Sequence, residues 1–176
     1  MNYRTHIVSS LSEIGQVAWD GLLAQQEEAN PFLSYAFLHA LHESGSASPE
    51  SGWQPQYIAL YDGDTLAAAL PLYVKGHSYG EYVFDWAWAD AYGRHGLDYY
   101  PKLLSAVPFT PVAGPRLLAV DDAARAALIA VLNATQRATE VSSTHILFPP
   151  EAHARQLQEA GFMLRSGVQF HWLNPG

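Results

Sequence analysis

The sequence predicts an α/β domain: a mixed sheet flanked by helices, folded as a single unit. Three observations carry this. Stretches with apolar residues at helical spacing alternate with short apolar or period-two runs. Their order reads strand, two helices, three strands, helix, strand, helix, strand pair, which is a layered helix-and-sheet arrangement. The 176 residues, 49% hydrophobic and 15% charged, fit one ordinary globular core.

Thr5 to Val8 is a short apolar strand. Ser10 and Glu13 form a capping-box pattern opening a helix with Ile14, Val17, Ala18 and Leu22 at helical spacing. Asn30-Pro31 ends it, and Ser34 caps a second helix with Phe37, Leu38 and Leu41 inward and Gly45 as its stop. Tyr57 to Tyr61 and Thr65 to Val74 flank Asp62-Gly63-Asp64, a hairpin turn whose glycine supplies positive φ. Glu81 to Ala89 alternates, Tyr82, Phe84, Trp86 and Trp88 against Glu81, Val83, Asp85, Ala87 and Ala89, and is expected as a third strand. The prolines between Val107 and Pro115 make that run irregular, since each removes a ladder donor. Asp121 starts the longest helix, reaching about Glu140 on Leu128, Ile129 and Leu132. Thr144 to Phe148 is a strand, Pro149-Pro150 opens a helix closed by Gly161, and Phe162 to Leu164 with Val168 to Trp172 form a last strand pair.

Composition excludes several classes. Without cysteine there is no disulfide, thiolate metal site or cysteine nucleophile. The N-terminus lacks the basic start and apolar run of a signal peptide, and no stretch approaches a membrane span, so a cytoplasmic location is expected. A net charge of -8 opposes wrapping a nucleic-acid backbone over a broad face.

Residues 71–116 stand apart. Both lysines, Lys75 and Lys102, lie there, and Lys75, Arg94, Lys102 and Arg116 balance Glu81, Asp85, Asp90 and Asp98. A core strand does not need Lys, His, Tyr, Glu, Asp and Trp interleaved, whereas the wall of a polar ligand groove does. Gly76-His77-Ser78-Tyr79-Gly80 matches the G-x-S-x-G nucleophile elbow, which would make Ser78 a hydrolase nucleophile. The residues after it read as strand rather than helix, so the two glycines are better read as a hairpin turn. His39, His42 and Glu43 lack a recognisable third metal ligand, so no metal is expected. Gly114 to Asp122, where a phosphate-cradling loop would enter the long helix, has one glycine, a proline and two acids. CoA binding at this loop, and so any cofactor, is therefore not expected.

The element order resembles the GNAT (N-acetyltransferase) fold. The stretches PLYVKGHSYGEYVFDWAWADAY, YYPKLLSAVPFTPVAGPRLL, NPFLSYAFLHALHESGS and GVQFHWLN resemble a bacterial family of N-acyltransferases known as FemAB-like, peptidoglycan biosynthesis/recognition. The resemblance spans nearly the whole chain. It implies two acetyltransferase-like domains, of which residues 1–176 would be the first and the second is absent from this chain. It also implies transfer of an amino acid from aminoacyl-tRNA to a peptidoglycan-precursor amine, so a cell-wall precursor or other amine is the expected substrate. A substrate-recognition domain without chemistry is the competing expectation. The surface left by the missing domain, including Val168 to Trp172, is expected to drive self-association.

Amide formation from an acyl ester needs a neutral amine, close positioning and donors for the oxyanion. Glu81 and Asp85 are the candidate proton acceptors, with His77 as shuttle. Lys75, Lys102 and Arg116 are candidate anion contacts, expected to converge. Tyr79, Trp86, Trp88, Tyr99 and Tyr100 are candidate groove walls.

Overall fold

The computed structural model describes residues 3–168, 170, 172 and 173. Its elements are β1 (Arg4–Val8), α1 (Gln16–Leu23), α2 (Tyr35–Glu43), β2 (Trp53–Pro55), β3 (Tyr57–Asp62), β4 (Thr65–Leu70), β5 (Tyr73–Lys75), α3 (Trp86–Arg94), β6 (Lys102–Ser105), β7 (Leu118–Ala119), α4 (Asp122–Ala138), β8 (Thr144–Ile146) and α5 (Glu151–Glu159). This is the mixed α/β domain that the sequence predicts. The strands form two four-stranded sheets, ordered β1-β3-β4-β7 and β2-β5-β6-β8. Every pairing is antiparallel except β6 with β8.

The long strand expected from Thr65 to Val74 is split at Pro71, which cannot donate to a ladder. Its two pieces, β4 and β5, join different sheets. Strand alternation covers both faces of the first sheet. Tyr57 and Ala59 of β3 join a core with Trp19, Leu22, Leu33 and Leu38 from the α1 and α2 side. Ile58 and Leu60 join another with Leu128, Leu132 and Leu157 from α4 and α5. Fully burying each such leucine stabilises by about 1.5–3 kcal/mol.

The caps form as expected. Ser10 and Glu13 close their capping box, though over a short 3-10 turn, and Gly15 at φ 87° separates that turn from α1. Ser34 Oγ accepts from Phe37 N, and Asp121 Oδ1 accepts from Ala124 N at 2.7 Å to start α4. Gly63, at φ 60°, makes the β3–β4 turn.

Some expectations fail. Residues 81–89 are not a strand: Glu81 to Asp85 is an irregular segment and Trp86 starts α3. Alanine at positions 87, 89 and 91 mimics period two between aromatics, yet alanine is the best helix former. The glycines at 76 and 80 accordingly lie in a loop between β5 and α3, not in a hairpin turn. Val17 faces solvent, and Trp19 takes the buried place on α1. Strands β2, β6 and β7 lie outside the strands that the sequence predicts. No strand forms at Phe162 to Leu164, nor at Val168, Phe170 or Trp172; Gln169 and His171 lie outside the described residues. Among the described residues no helix is long and apolar enough to cross a membrane.

Candidate functional site

The site starts from one register. Antiparallel pairing of β5 and β6 places Lys75 directly opposite Lys102, so both lysines leave the same face of the second sheet. Two like charges side by side are unstable unless compensated, and the irregular segment before α3 supplies the compensation. Lys102 Nζ donates to Glu81 Oε2 at 2.8 Å, to Asp85 Oδ2, and to Ser78 Oγ at 3.2 Å. Lys75 Nζ donates to the Tyr79 carbonyl at 3.2 Å and sits 3.8 Å from the centre of the Trp53 ring. All four ionisable side chains are buried.

Burial sets the protonation behaviour. It pushes the Lys75 ammonium down to about 8, with the neighbouring Lys102 charge acting the same way against the pull of Glu81. It raises Glu81 above its ordinary carboxylate value despite Lys102. Asp85 also suffers burial, but hydrogen bonding and charge from Lys102, with help from His145, hold it below its ordinary value. Glu81 Oε1 and Asp85 Oδ1 have no hydrogen-bond partner among the described residues, although Arg165 approaches Asp85 Oδ1 at 3.8 Å.

Outside this cluster lies a concavity of about 260 Å³ lined by His77, Ser78, Tyr79, Trp86, Ala89 and Tyr100. Its floor is Ser78, whose Oγ lies 2.7 Å from Tyr100 Oη. Tyr79 and Trp86 expose most of their rings to it and to solvent. His77 Nδ1 accepts from the Tyr79 N–H at 3.2 Å, so the neutral ring carries its hydrogen on Nε2 and has no free acceptor. Burial and the Lys75 charge both lower the His77 pKa, favouring that neutral ring.

The fold therefore brings together Lys75, His77, Tyr79, Glu81, Asp85, Trp86, Tyr100 and Lys102. Tyr99 packs behind them, edge-on to Tyr92 and Tyr100, with its hydroxyl 3.4 Å from His145 Nε2. Trp88 lies on the exposed surface of α3. Arg116 does not converge with the lysines: its buried guanidinium donates to the carbonyls of Gly114 and Val112, and burial lowers its pKa to about 10. Glu81 and Asp85 do meet, but through Lys102 rather than along one strand face.

His145, which the sequence reading did not single out, borders the cluster with Nδ1 3.9 Å from Asp85 Oδ2. Ser78 sits in the loop between β5 and α3, not on a strand-to-helix turn. It accepts from an ammonium already held by two carboxylates, so no base activates it. His42, considered as a ligand, faces Tyr57 and Tyr73 hydroxyls at 3.2 and 3.3 Å. The first turn of α4 is filled by Asp121, its own cap, and by Asp122, which pairs with Arg125. A larger groove of about 560 Å³ beside α1, including Val17 and Leu66, has Asp64 as its single charged residue.

A family model described as FemAB-like, peptidoglycan biosynthesis/recognition, matches residues 10–176. No curated protein matches. Among solved structures, the ribosomal-protein-alanine N-acetyltransferase of Brucella melitensis biovar Abortus 2308 aligns over 99% of this chain and 100% of its own, with TM-score 0.55 and 13% identity. The aminoglycoside antibiotic 6'-N-acetyltransferase of Acinetobacter baumannii aligns over the same shares with TM-score 0.50 and 13% identity. At such identity these likenesses establish the fold alone: the N-acetyltransferase fold.

Proposed function

This chain belongs to the FemAB-like family of peptidoglycan biosynthesis/recognition proteins, and from that membership we propose that it is an N-acyltransferase domain that forms an amide on an amine of a cell-wall precursor. An aminoacyl ester is the proposed donor, presented by aminoacyl-tRNA to a protein in which this domain works beside a second one. The observation that carries the reading is the pocket at Ser78 and Tyr100, backed by the buried Lys102–Glu81–Asp85 cluster. Amide formation between neutral partners needs no covalent intermediate on the protein; it needs two reactants held together and a polar floor that does not move.

Within this reading Tyr79, Trp86 and Tyr100 wall the reacting groups, and Lys102 anchors the floor through its hydrogen bond to Ser78. Glu81 and Asp85 hold Lys102 in place; both are buried, and neither lines the pocket. The same burial favours the second reading, a recognition domain that binds the precursor and leaves the chemistry to a partner domain. Arg116 has no role in either. The exposed Val168, Phe170 and Trp172 are proposed as a self-association surface.

The test is to incubate the protein with alanine methyl ester and a muramyl pentapeptide that carries a free amine on an internal side chain, and to follow product by mass spectrometry. An alanyl amide on the pentapeptide, lost when Tyr79 and Trp86 are replaced by alanine, is the expected result. Pentapeptide binding without product selects the recognition reading, and neither binding nor product overturns both.

A further inference from the structure

Hydrogen counting in the pocket floor leads further. Lys102, with two carboxylates against it, is an ammonium and can only donate; its three N–H groups go to Glu81, Asp85 and Ser78. Ser78 Oγ therefore accepts, and its own hydrogen has one acceptor in reach, Tyr100 Oη at 2.7 Å. Tyr100 Oη has no other hydrogen-bond partner among the described residues. Two hydroxyl hydrogens share one link, so one is left over, and both residues line the concavity. With Ser78 Oγ donating to Tyr100 Oη, the arrangement the inference takes, each group from Lys102 to Ser78 to Tyr100 donates to the next and is polarised by the one before. The chain then ends in the Tyr100 O–H, with a positive charge at its far end.

We propose that Tyr100 is the donor that receives the carbonyl oxygen of the acyl group, with Ser78 as the positioning residue that polarises it. The ligand class is a carbonyl acceptor, an ester carbonyl in the ground state, between the aromatic walls of Tyr79 and Trp86. The catalytic part of the role rests on the acyl-transfer reading; binding of the carbonyl does not. In the transfer step the amine nitrogen attacks the ester carbon and the carbon–nitrogen bond forms. The carbonyl pair moves onto oxygen, where the Tyr100 O–H stabilises it. The pair then returns, the bond to the leaving oxygen breaks, and the amine proton ends on that oxygen. Tyr100 keeps its proton throughout. An ammonium ligand is disfavoured, because the group facing it would be an O–H donor.

The experiment uses N-acetylalanine methyl ester with a carbon-13 ester carbonyl, titrated into the protein and followed by tryptophan fluorescence and the infrared carbonyl stretch. The parent is expected to bind and to move the stretch to lower frequency. Tyr100→Phe keeps the ring and should lose most of that shift, with affinity weakened about tenfold. Ser78→Ala should lose part of it. The double variant, which also removes any hydrogen Ser78 redirects, should lose it all. Amide formation from alanine methyl ester in the same variants should fall by about a hundredfold or more, as for loss of an oxyanion donor.

No binding by the parent, or a double variant that shifts the carbonyl as the parent does, overturns the inference. If the parent makes amide and the double variant makes it equally fast, the inference falls and the acyl-transfer reading stands. If the Tyr100-dependent shift is present but no amide forms, the carbonyl site stands and the acyl-transfer reading falls.

Discussion

Lys102 organises the site because it satisfies two carboxylates that nothing else nearby neutralises so closely. Removing one partner of a buried ionic cluster leaves uncompensated charge, which costs about 3–5 kcal/mol. Lys102→Met is expected to lower the unfolding free energy measured in urea by that amount, and adding Glu81→Gln with Asp85→Asn should recover most of it. A fully stable single variant would show that the cluster is not buried as described. Three histidines give a pH signature. Burial holds His42, His145 and His153 at about 4, against 6.5 for the free side chain. Below pH 6.5 the unfolded chain takes up protons that the folded one refuses, so their contribution is complete above 6.5 and is lost as pH falls towards 4. Each contributes up to about 1.4 kcal/mol per pH unit in that window. Thermal melts at pH 7 and pH 5 should differ accordingly, and His153→Asn should flatten the dependence. A pH-independent melting temperature would contradict their burial. Ser78, lacking a base, should remain unlabelled by a fluorophosphonate probe; a stoichiometric adduct lost in Ser78→Ala would restore the hydrolase reading.

Helix α3 is the element whose sequence misleads and whose stability is local. None of its nine residues is buried, and an isolated helix of that length is marginal in water. Amides of Trp86 to Arg94 should therefore exchange faster than those of α4, which buries Leu128, Ile129 and Leu132. Protection equal to that of α4 would mean that another surface covers it. Replacing Trp88 with alanine should change stability by no more than about 0.5 kcal/mol, since its side chain rests mainly in solvent. The alternation that suggests a strand here is real; it arises because alanine stands at positions 87, 89 and 91 of a short helix. Only the draw of Glu81 and Asp85 towards Lys102 shows that the segment leaves the sheet.

Across the whole molecule, exposed Met163, Val168, Phe170, Trp172 and Leu173 are a concentration of apolar side chains that a monomer rarely leaves in water. Sedimentation should show reversible association as concentration rises, weakened by Phe170→Ser with Trp172→Ser; a single monomeric species throughout would end that proposal. The sequence by itself determined the layered α/β class, the caps at Ser10, Ser34 and Asp121, the turn at Gly63 and the segment that holds the site. These depend on spacing and local backbone chemistry, which a linear pattern carries. The tertiary structure alone decided the split of the strands into two sheets at Pro71, the facing of Lys75 and Lys102, and the separation of Arg116 from both. It also placed Ser78 as a link between Lys102 and Tyr100. Register between strands and the sharing of one ammonium by residues 78, 81 and 85 are long-range facts, set by which buried charges find partners, and no local periodicity encodes them.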